Sequence, residues 1–304
     1  MRRKKGSRLI YLVDASVYVF RAYYALPADM VDGDGNPVHA LFGFARVLGD
    51  LIERARPRYI AVAFDTSLMK CFRNRIYPAY KANREPPPAD LQLQFERCME
   101  LCKCLGVTAF ASMEYEADDI IGTLVSSMRR EGVPSTVITR DKDLAQLIRE
   151  GDVYWDFGGR EPYSYHDIER RYGVVPERFA DYLALMGDSV DNIPGIPGIG
   201  PKTAAALMKE FASLDDLYGD LDRVVSLKMR GALAVGARLK EHREAAYLAR
   251  QLTGIACDVP LDVGSDGLRR RAPDLDALTR FYDVQGFGPF LRRQGERLAQ
   301  LPLA

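Results

Sequence analysis

Nine carboxylates stand in short acidic motifs along this chain. They are Asp14, Asp65, Glu116, Asp118 and Asp119 within EYEADDII, Asp141 and Asp143 within ITRDKDLAQL, and Asp188 and Asp191 within GDSVDNIPG. EYEADDII puts Glu114, Glu116, Asp118 and Asp119 directly ahead of the apolar Ile120, Ile121, Leu124 and Val125. Acids favour the first turn of a helix, because they face the positive end of its dipole. That accounts for one or two of them; four repel one another unless a cation sits among them. Clustered oxygen donors without cysteine or histidine suit hard divalent cations, magnesium or manganese. Magnesium takes one or two carboxylates and keeps its waters, so nine acids argue for two ions, some acids acting from outside the ligand set. A pair of such ions is the clamp used in phosphodiester hydrolysis. It needs no histidine or serine nucleophile, and His39, His166 and His242 fall in no triad or metal spacing.

The elements that would bring these acids together are legible. Short apolar, β-branched runs at 8–14, 58–65, 106–111 and 134–141 read as strands, separated by helical patterns at 39–55, 89–105 and 117–131. Such alternation predicts an α/β fold with a mostly parallel sheet and helices on both faces, whose sites form at the carboxyl ends of the strands. Three of the four runs end on an aspartate, Asp14, Asp65 and Asp141, where the helix of EYEADD would begin. From about Tyr172 the pattern turns all-helical, over 176–188, 202–211, 213–224 and 231–252. This divides the chain into a region at 1–172 and a helical region at 173–304, with no role evident after about 260.

The bulk numbers fit a soluble globular protein: 304 residues, 47% hydrophobic, 28% charged. No apolar run reaches membrane-spanning length. In MRRKKGSRLIYLVD the apolar stretch is cut by Asp14 with no small-residue cleavage site after it, so a frayed basic tip on a cytoplasmic protein is expected rather than a signal peptide. Of five cysteines, Cys98 and Cys102 share an apolar helical stripe with Leu91, Phe95, Met99 and Leu105. No further ligand stands at zinc spacing, and an odd count without a framework suits a reducing compartment.

The net charge is zero, which at first argues against a nucleic-acid partner. Setting the nine site acids aside leaves 33 acids against 42 basic residues, so the remaining surface could be clearly positive. The segment 70–84 carries Lys70, Arg73, Arg75, Lys81 and Arg84 without an acid, interleaved with Phe72, Tyr77 and Tyr80. Charge for phosphate and ring faces for bases suit single-stranded or frayed nucleic acid, against the alternative of a solvated basic face with rings beneath it. IPGIPGIGPKTAAAL is a glycine hairpin feeding a helix near Pro201. The N–H groups around Gly198 and Gly200, with Lys202 and Thr203 at the helix start, can hold a backbone phosphate without reading sequence. A plain turn is the alternative.

LIYLVDASVYVFRAYYALP, FDTSLMKCFRNRIYPAYKANR, EYEADDIIGTL, ITRDKDLAQL and GDSVDNIPGIPGIGPKTAAALMKEF together resemble the 5′ nuclease (flap endonuclease) family, collinearly over about 8–250. The family includes the 5′–3′ exonuclease domain of bacterial DNA polymerase I. The resemblance implies a PIN-like α/β nuclease domain followed by a helix–three-turn–helix (helix-hairpin-helix) DNA-binding region. It implies one metal at Asp14, Asp65, Glu116 and Asp118, and a second at Asp141, Asp143, Asp188 and Asp191, supported by Asp119. Lys81 and Arg84 match phosphate-steering positions of a helical gateway, Tyr80 its neighbouring aromatic, and Arg21 a basic residue after the first aspartate. The hairpin Gly198–Ile199–Gly200 resembles the part that grips duplex backbone, in some relatives with potassium. The chain has DAS where DGS or DGH is usual, and TRDKD where glycine usually precedes DKD, so Arg140 stands beside the acids. Every acid position is kept, and activity is expected. The expected protein is a stand-alone, monomeric, nucleoid-associated 5′–3′ exonuclease and flap endonuclease of replication and repair. Its partner is DNA with a 5′ flap, nick or single-strand–duplex junction. A non-catalytic junction-binding protein and an RNA-directed PIN nuclease are the competing readings.

Overall fold

The computed structural model of the chain describes residues 8–65, 71–159 and 161–303. Its strands are continuous apolar runs, as expected where both faces of a sheet are covered. β1 (Ile10–Asp14) and β2 (Tyr59–Asp65) are buried along almost their whole length. β3 (Thr108–Ser112), β4 (Ser135–Ile138) and β5 (Val153–Trp155) complete a five-stranded sheet in the order β3-β2-β1-β4-β5, with every pairing parallel. The chain leaves β1 for β2 and β3 on one side and places β4 and β5 on the other. The order therefore switches at β1, where such sheets open a crevice at their carboxyl edge. β1 and β2 end on Asp14 and Asp65, as expected. β4 stops at Ile138, and Asp141 instead caps a 3₁₀ turn, Lys142–Leu147.

Helices of the first half are α1 (Ala15–Ala25), α2 (His39–Ala55), α3 (Phe72–Ile76), α4 (Ala89–Cys104), α5 (Ala117–Arg130) and α6 (Tyr165–Tyr172). Only α1 was without a sequence signal among the long ones, because its β-branched and aromatic residues favour strands. It forms because Ala15, Tyr18, Val19 and Ala22 make one buried face. α1 crosses α2 at Gly43, where an added Cβ would stand 2.3 Å from that of Ala22.

The second half holds α7 (Phe179–Met186), α8 (Pro201–Glu210), α9 (Leu214–Gly219), α10 (Leu221–Ser226), α11 (Ala232–Glu241) and α12 (Arg243–Thr253). The run expected as one helix at 231–252 is two, broken at His242, and that at 213–224 breaks at Asp220, whose side chain accepts the Arg223 N–H. Phe179, Leu207, Leu214 and Leu239 share a core with Leu12, Ile121 and Val137, so the helical region closes one face of the sheet. α13 (Leu275–Val284) and α14 (Pro289–Ala299) return to the other face. There Leu278, Phe281, Tyr282, Phe287, Leu291 and Leu298 pack with α1, α2 and α4. Each such burial contributes about 1.5–3 kcal/mol. The last helices of the region expected at 173–304 thus pack in the α/β layer. The missing cue is the partner surface: their apolar faces meet helices far earlier in the chain, α4 for α13 and α2 for α14, and Gln294 Nε2 also donates to Asp50 at 2.9 Å. Among the described residues, no helix is long and apolar enough to cross a membrane.

Candidate active site

Asp14 is buried at the end of β1 and accepts from the Thr139 hydroxyl at 2.8 Å. Burial, then the charges of Asp65 and Asp141, push its carboxyl up to about 8. Asp65, at the end of β2, accepts the Ala117 N–H at 2.7 Å and so caps α5, while its own N–H donates to Ser16 Oγ at 3.1 Å. Burial and Glu116 raise its pKa, and Lys81 opposes them. Asp118, in the first turn of α5, is raised well above the usual carboxylate range by burial and then by Asp141, Asp14, Asp65 and Glu116. Four acids from four separate segments thus press on one side chain at the carboxyl edge of the sheet. Asp141 accepts the Asp143 N–H at 2.9 Å across the 3₁₀ turn. Asp143 is pushed up to about 7 by burial, Asp141 and Asp188, against the pull of Lys142. Asp188 and Asp191 follow α7 on the loop into the glycine hairpin.

Cations hold the outer acids. Lys142 meets Asp188 at 2.6 Å, Lys81 meets Glu116 and lies 3.8 Å from Asp191, and Arg84 meets Asp191. Lys81 keeps its proton although burial opposes it, because Glu116, Asp191 and Asp65 raise its pKa. Its backbone sits in the left-handed region at φ 54°, with its N–H bound to the Asp191 carbonyl at 2.9 Å. With the side chains turned to these partners, no three acids among the described residues are gathered tightly enough to clasp one ion. The donor set nonetheless fits hard divalent cations. It is all carboxylate oxygen, and burial with mutual repulsion raises Asp14, Asp65, Asp118 and Asp143, a cost that a bound cation relieves.

Three of the expected site residues are tied into the protein itself. Arg73 is 2% exposed, so it cannot meet phosphate. Its guanidinium forks onto Asp119 at 2.8 and 2.7 Å, reaches Glu116 at 2.9 Å, and donates to the Leu252 and Gly254 carbonyls. Asp119 is wholly buried, and its oxygens also take the Glu116 and Ala256 N–H groups, which anchors the start of α5. Tyr80, 4% exposed, offers no ring face to a base, and its hydroxyl donates to Glu116 at 2.9 Å. Tyr77 packs half-buried against the cluster of Cys71, Tyr80 and Ile193. Lys70 lies outside the described residues. Arg21 is exposed on α1 and shares an open groove with Arg140. The residues missed in the sequence are those that hold the acids: Ser16, Thr139 and Lys142. The alternation Arg140–Asp141–Lys142–Asp143 was the one available signal for Lys142.

The hairpin follows Asp188 and Asp191 directly, with Ile193 paired to Asp188 through backbone hydrogen bonds of 2.7 and 3.0 Å. Ile196 and Ile199 are buried and anchor it, while Gly198 and Gly200 are exposed. Gly198 adopts φ 75°, and a Cβ there would lie 2.2 Å from the Arg238 guanidinium. Gly200 caps α8, with Pro201 in the first turn, an exposed Lys202 next and a half-buried Thr203 after it.

A mostly parallel, PIN-like sheet with carboxylates at its switch point, followed by a helix–hairpin–helix region, defines a nuclease fold. Residues 9–173 match the family model for the 5′-3′ exonuclease N-terminal resolvase-like domain, and residues 174–276 that for the 5′-3′ exonuclease C-terminal SAM fold. The chain belongs to the 5′-3′ exonuclease family. It is 32% identical over 255 residues to a 5′-3′ exonuclease of Buchnera aphidicola, covering 84% of this chain and 88% of that one. It is 37% identical over 302 residues to DNA polymerase I of Rhizobium leguminosarum, covering 97% of this chain and 29% of the polymerase. The chain thus spans about three tenths of that relative's length. A solved complex of the bacteriophage T5 flap endonuclease with DNA and metal ions superposes with a TM-score of 0.65 at 21% identity, covering 97% of this chain and 99% of that one.

Proposed function

We propose that the chain is a divalent-metal-dependent 5′–3′ exonuclease and flap endonuclease that hydrolyses DNA phosphodiesters near a single-strand–duplex junction, flap or nick. The observation that carries this is Asp118, at the start of α5, raised by burial and by the charges of Asp141, Asp14, Asp65 and Glu116. Asp14, Asp65, Glu116 and Asp118 would hold one cation, and Asp141, Asp143, Asp188 and Asp191 a second. Magnesium or manganese there supplies Lewis acidity toward phosphate and water. Asp119 and Arg73 position Glu116 from behind. Lys81 and Arg84 stand at the rim on the acids, and they exchange those carboxylates for the phosphates of the incoming 5′ strand. Arg21 flanks the same approach. Gly198, Gly200, Lys202 and Thr203 hold the duplex backbone through N–H groups and charge, without base contact. A DNA substrate and five unpaired thiols suit a reducing cytoplasm.

The test is incubation of the parent and of Asp141→Ala with end-labelled flap DNA, with and without magnesium, mapping the products. Junction-proximal cuts that need magnesium and vanish in Asp141→Ala, with DNA binding retained in EDTA, are expected. Full activity of the variant removes the site assignment. Binding without any cleavage by the parent favours the non-catalytic reading, and faster cutting of a matched RNA favours the RNA-directed one.

A further inference from the structure

The turn that carries Asp141 and Asp143 has a second set of side chains. Arg140 and Lys142 alternate with the two acids, and both cations line a neighbouring cavity of about 410 Å³. Its other walls include Tyr154, Tyr163, Arg171 and Tyr172. Tyr154 and Tyr163 face each other through reciprocal backbone hydrogen bonds of 2.9 and 2.7 Å, their ring centres 6.0 Å apart. Arg171, on α6, lies over both the Tyr163 and Tyr172 rings, at 5.4 and 5.5 Å, and donates to the Tyr163 hydroxyl at 3.1 Å. Arg140 is steadied by the buried Asp156 at 3.3 Å.

With Lys142 drawn to Asp188 and Asp143, Arg140 and Arg171 remain to suit an anion, and the tyrosines beside them offer ring surface, the pairing that binds unstacked nucleotides. The cavity is too roomy for a phosphate alone, matches the lower range of small-molecule pockets, and cannot admit a duplex. A second groove shares Arg171 and Tyr172 and runs to Pro201 and Lys202 at the start of α8, so the pocket lies between the acid cluster and the hairpin. The geometry points to a nucleotide subsite: the pocket holds one unpaired nucleotide of the DNA strand beside the acid cluster, its phosphate between Arg140 and Arg171 and its base against the tyrosine rings. This rests on the reading of the chain as a DNA nuclease and adds a grip on the strand away from the duplex.

Titration calorimetry of the full chain in EDTA, with deoxyadenosine 5′-monophosphate, deoxyadenosine and inorganic phosphate, tests it without catalysis. The mononucleotide should bind at least tenfold more tightly than either fragment. Arg171→Ala and, independently, Arg140→Ala should weaken it about tenfold, while Arg293→Ala on the far helix α14 should not. With flap DNA and magnesium, Arg171→Ala should raise KM more than it lowers kcat. Equal mononucleotide binding by the parent and both pocket variants overturns the subsite. Cleavage that is indifferent to Arg171 and Arg140 also overturns it and leaves the nuclease reading standing. Arg171-dependent binding in a chain that cuts no DNA removes the nuclease reading and keeps the pocket as a nucleotide site.

Discussion

Replace Asp119 by asparagine, and Arg73 keeps its burial but loses the carboxylate that forks onto it at 2.7 and 2.8 Å. Removing one partner of a buried ion pair costs about 3–5 kcal/mol. Glu116 remains 2.9 Å from the same guanidinium, which puts the loss near the lower end, about 3 kcal/mol. The neighbouring substitution, Asp118→Asn, should act with the opposite sign in metal-free protein. Asp118 faces burial and four other acids. Neutralising it should stabilise the fold at pH 8, because the carboxylate loses both its burial penalty and the repulsion of its neighbours. The assay is urea denaturation in EDTA, followed through the single tryptophan, Trp155, and by circular dichroism. Two adjacent acids moving stability in opposite directions would show that one is structural and the other is kept for a cation. A loss below about 1 kcal/mol for Asp119→Asn, or shifts of the same sign, would refute the reasoning.

Raised carboxylates also set a pH dependence. Asp14 and Asp143 are held near 8 and 7 against an unfolded value of 3.8, so the folded state binds their protons more tightly. Their contribution is present at low pH and is lost as pH rises from about 4 toward 8. Metal-free protein should therefore melt lower at pH 8 than at pH 5, and magnesium should raise the melting temperature more at pH 8; a larger rise at pH 5 would contradict this. Lys81→Ala should slow cleavage at saturating flap DNA by about 100-fold, the usual loss for one transition-state donor. An unchanged single-turnover rate would remove its steering role. At Gly195 an added Cβ would lie 2.0 Å from the Met186 carbonyl oxygen and 2.4 Å from the Gly187 nitrogen, both backbone. Gly195→Ala should cost about 3 kcal/mol in urea denaturation and weaken duplex binding in EDTA; parental behaviour in both would show that the hairpin yields there.

What was legible followed from periodicity and from residue type. The helices α2, α4 and α5 sit within a residue of their expected bounds, because each repeats an apolar face at helical spacing. The acids were legible because strands run out at one sheet edge, and Asp14 and Asp65 fall there by register. Contacts between distant segments were not. Nothing local to KCFRNRIYPAYKANR distinguishes Arg73, drawn inward by Asp119, Leu252 and Gly254, from Arg75, which stays exposed against Glu114. Tyr80 and the apolar stripes of α13 and α14 are the same case. Their partners lie far along the chain, so spacing carried no sign of them.

Because α13 and α14 come back to the α/β layer, the helical region leaves the sheet near Tyr172 and re-enters it where Arg269 bridges to Tyr59. The segment that presents the hairpin is therefore sewn in at both ends. A load applied to that segment is shared by two covalent crossings instead of one. The distance from hairpin to acids is then set like the span of an arch between two abutments, and α13 and α14, remote from any chemistry, serve as the second footing.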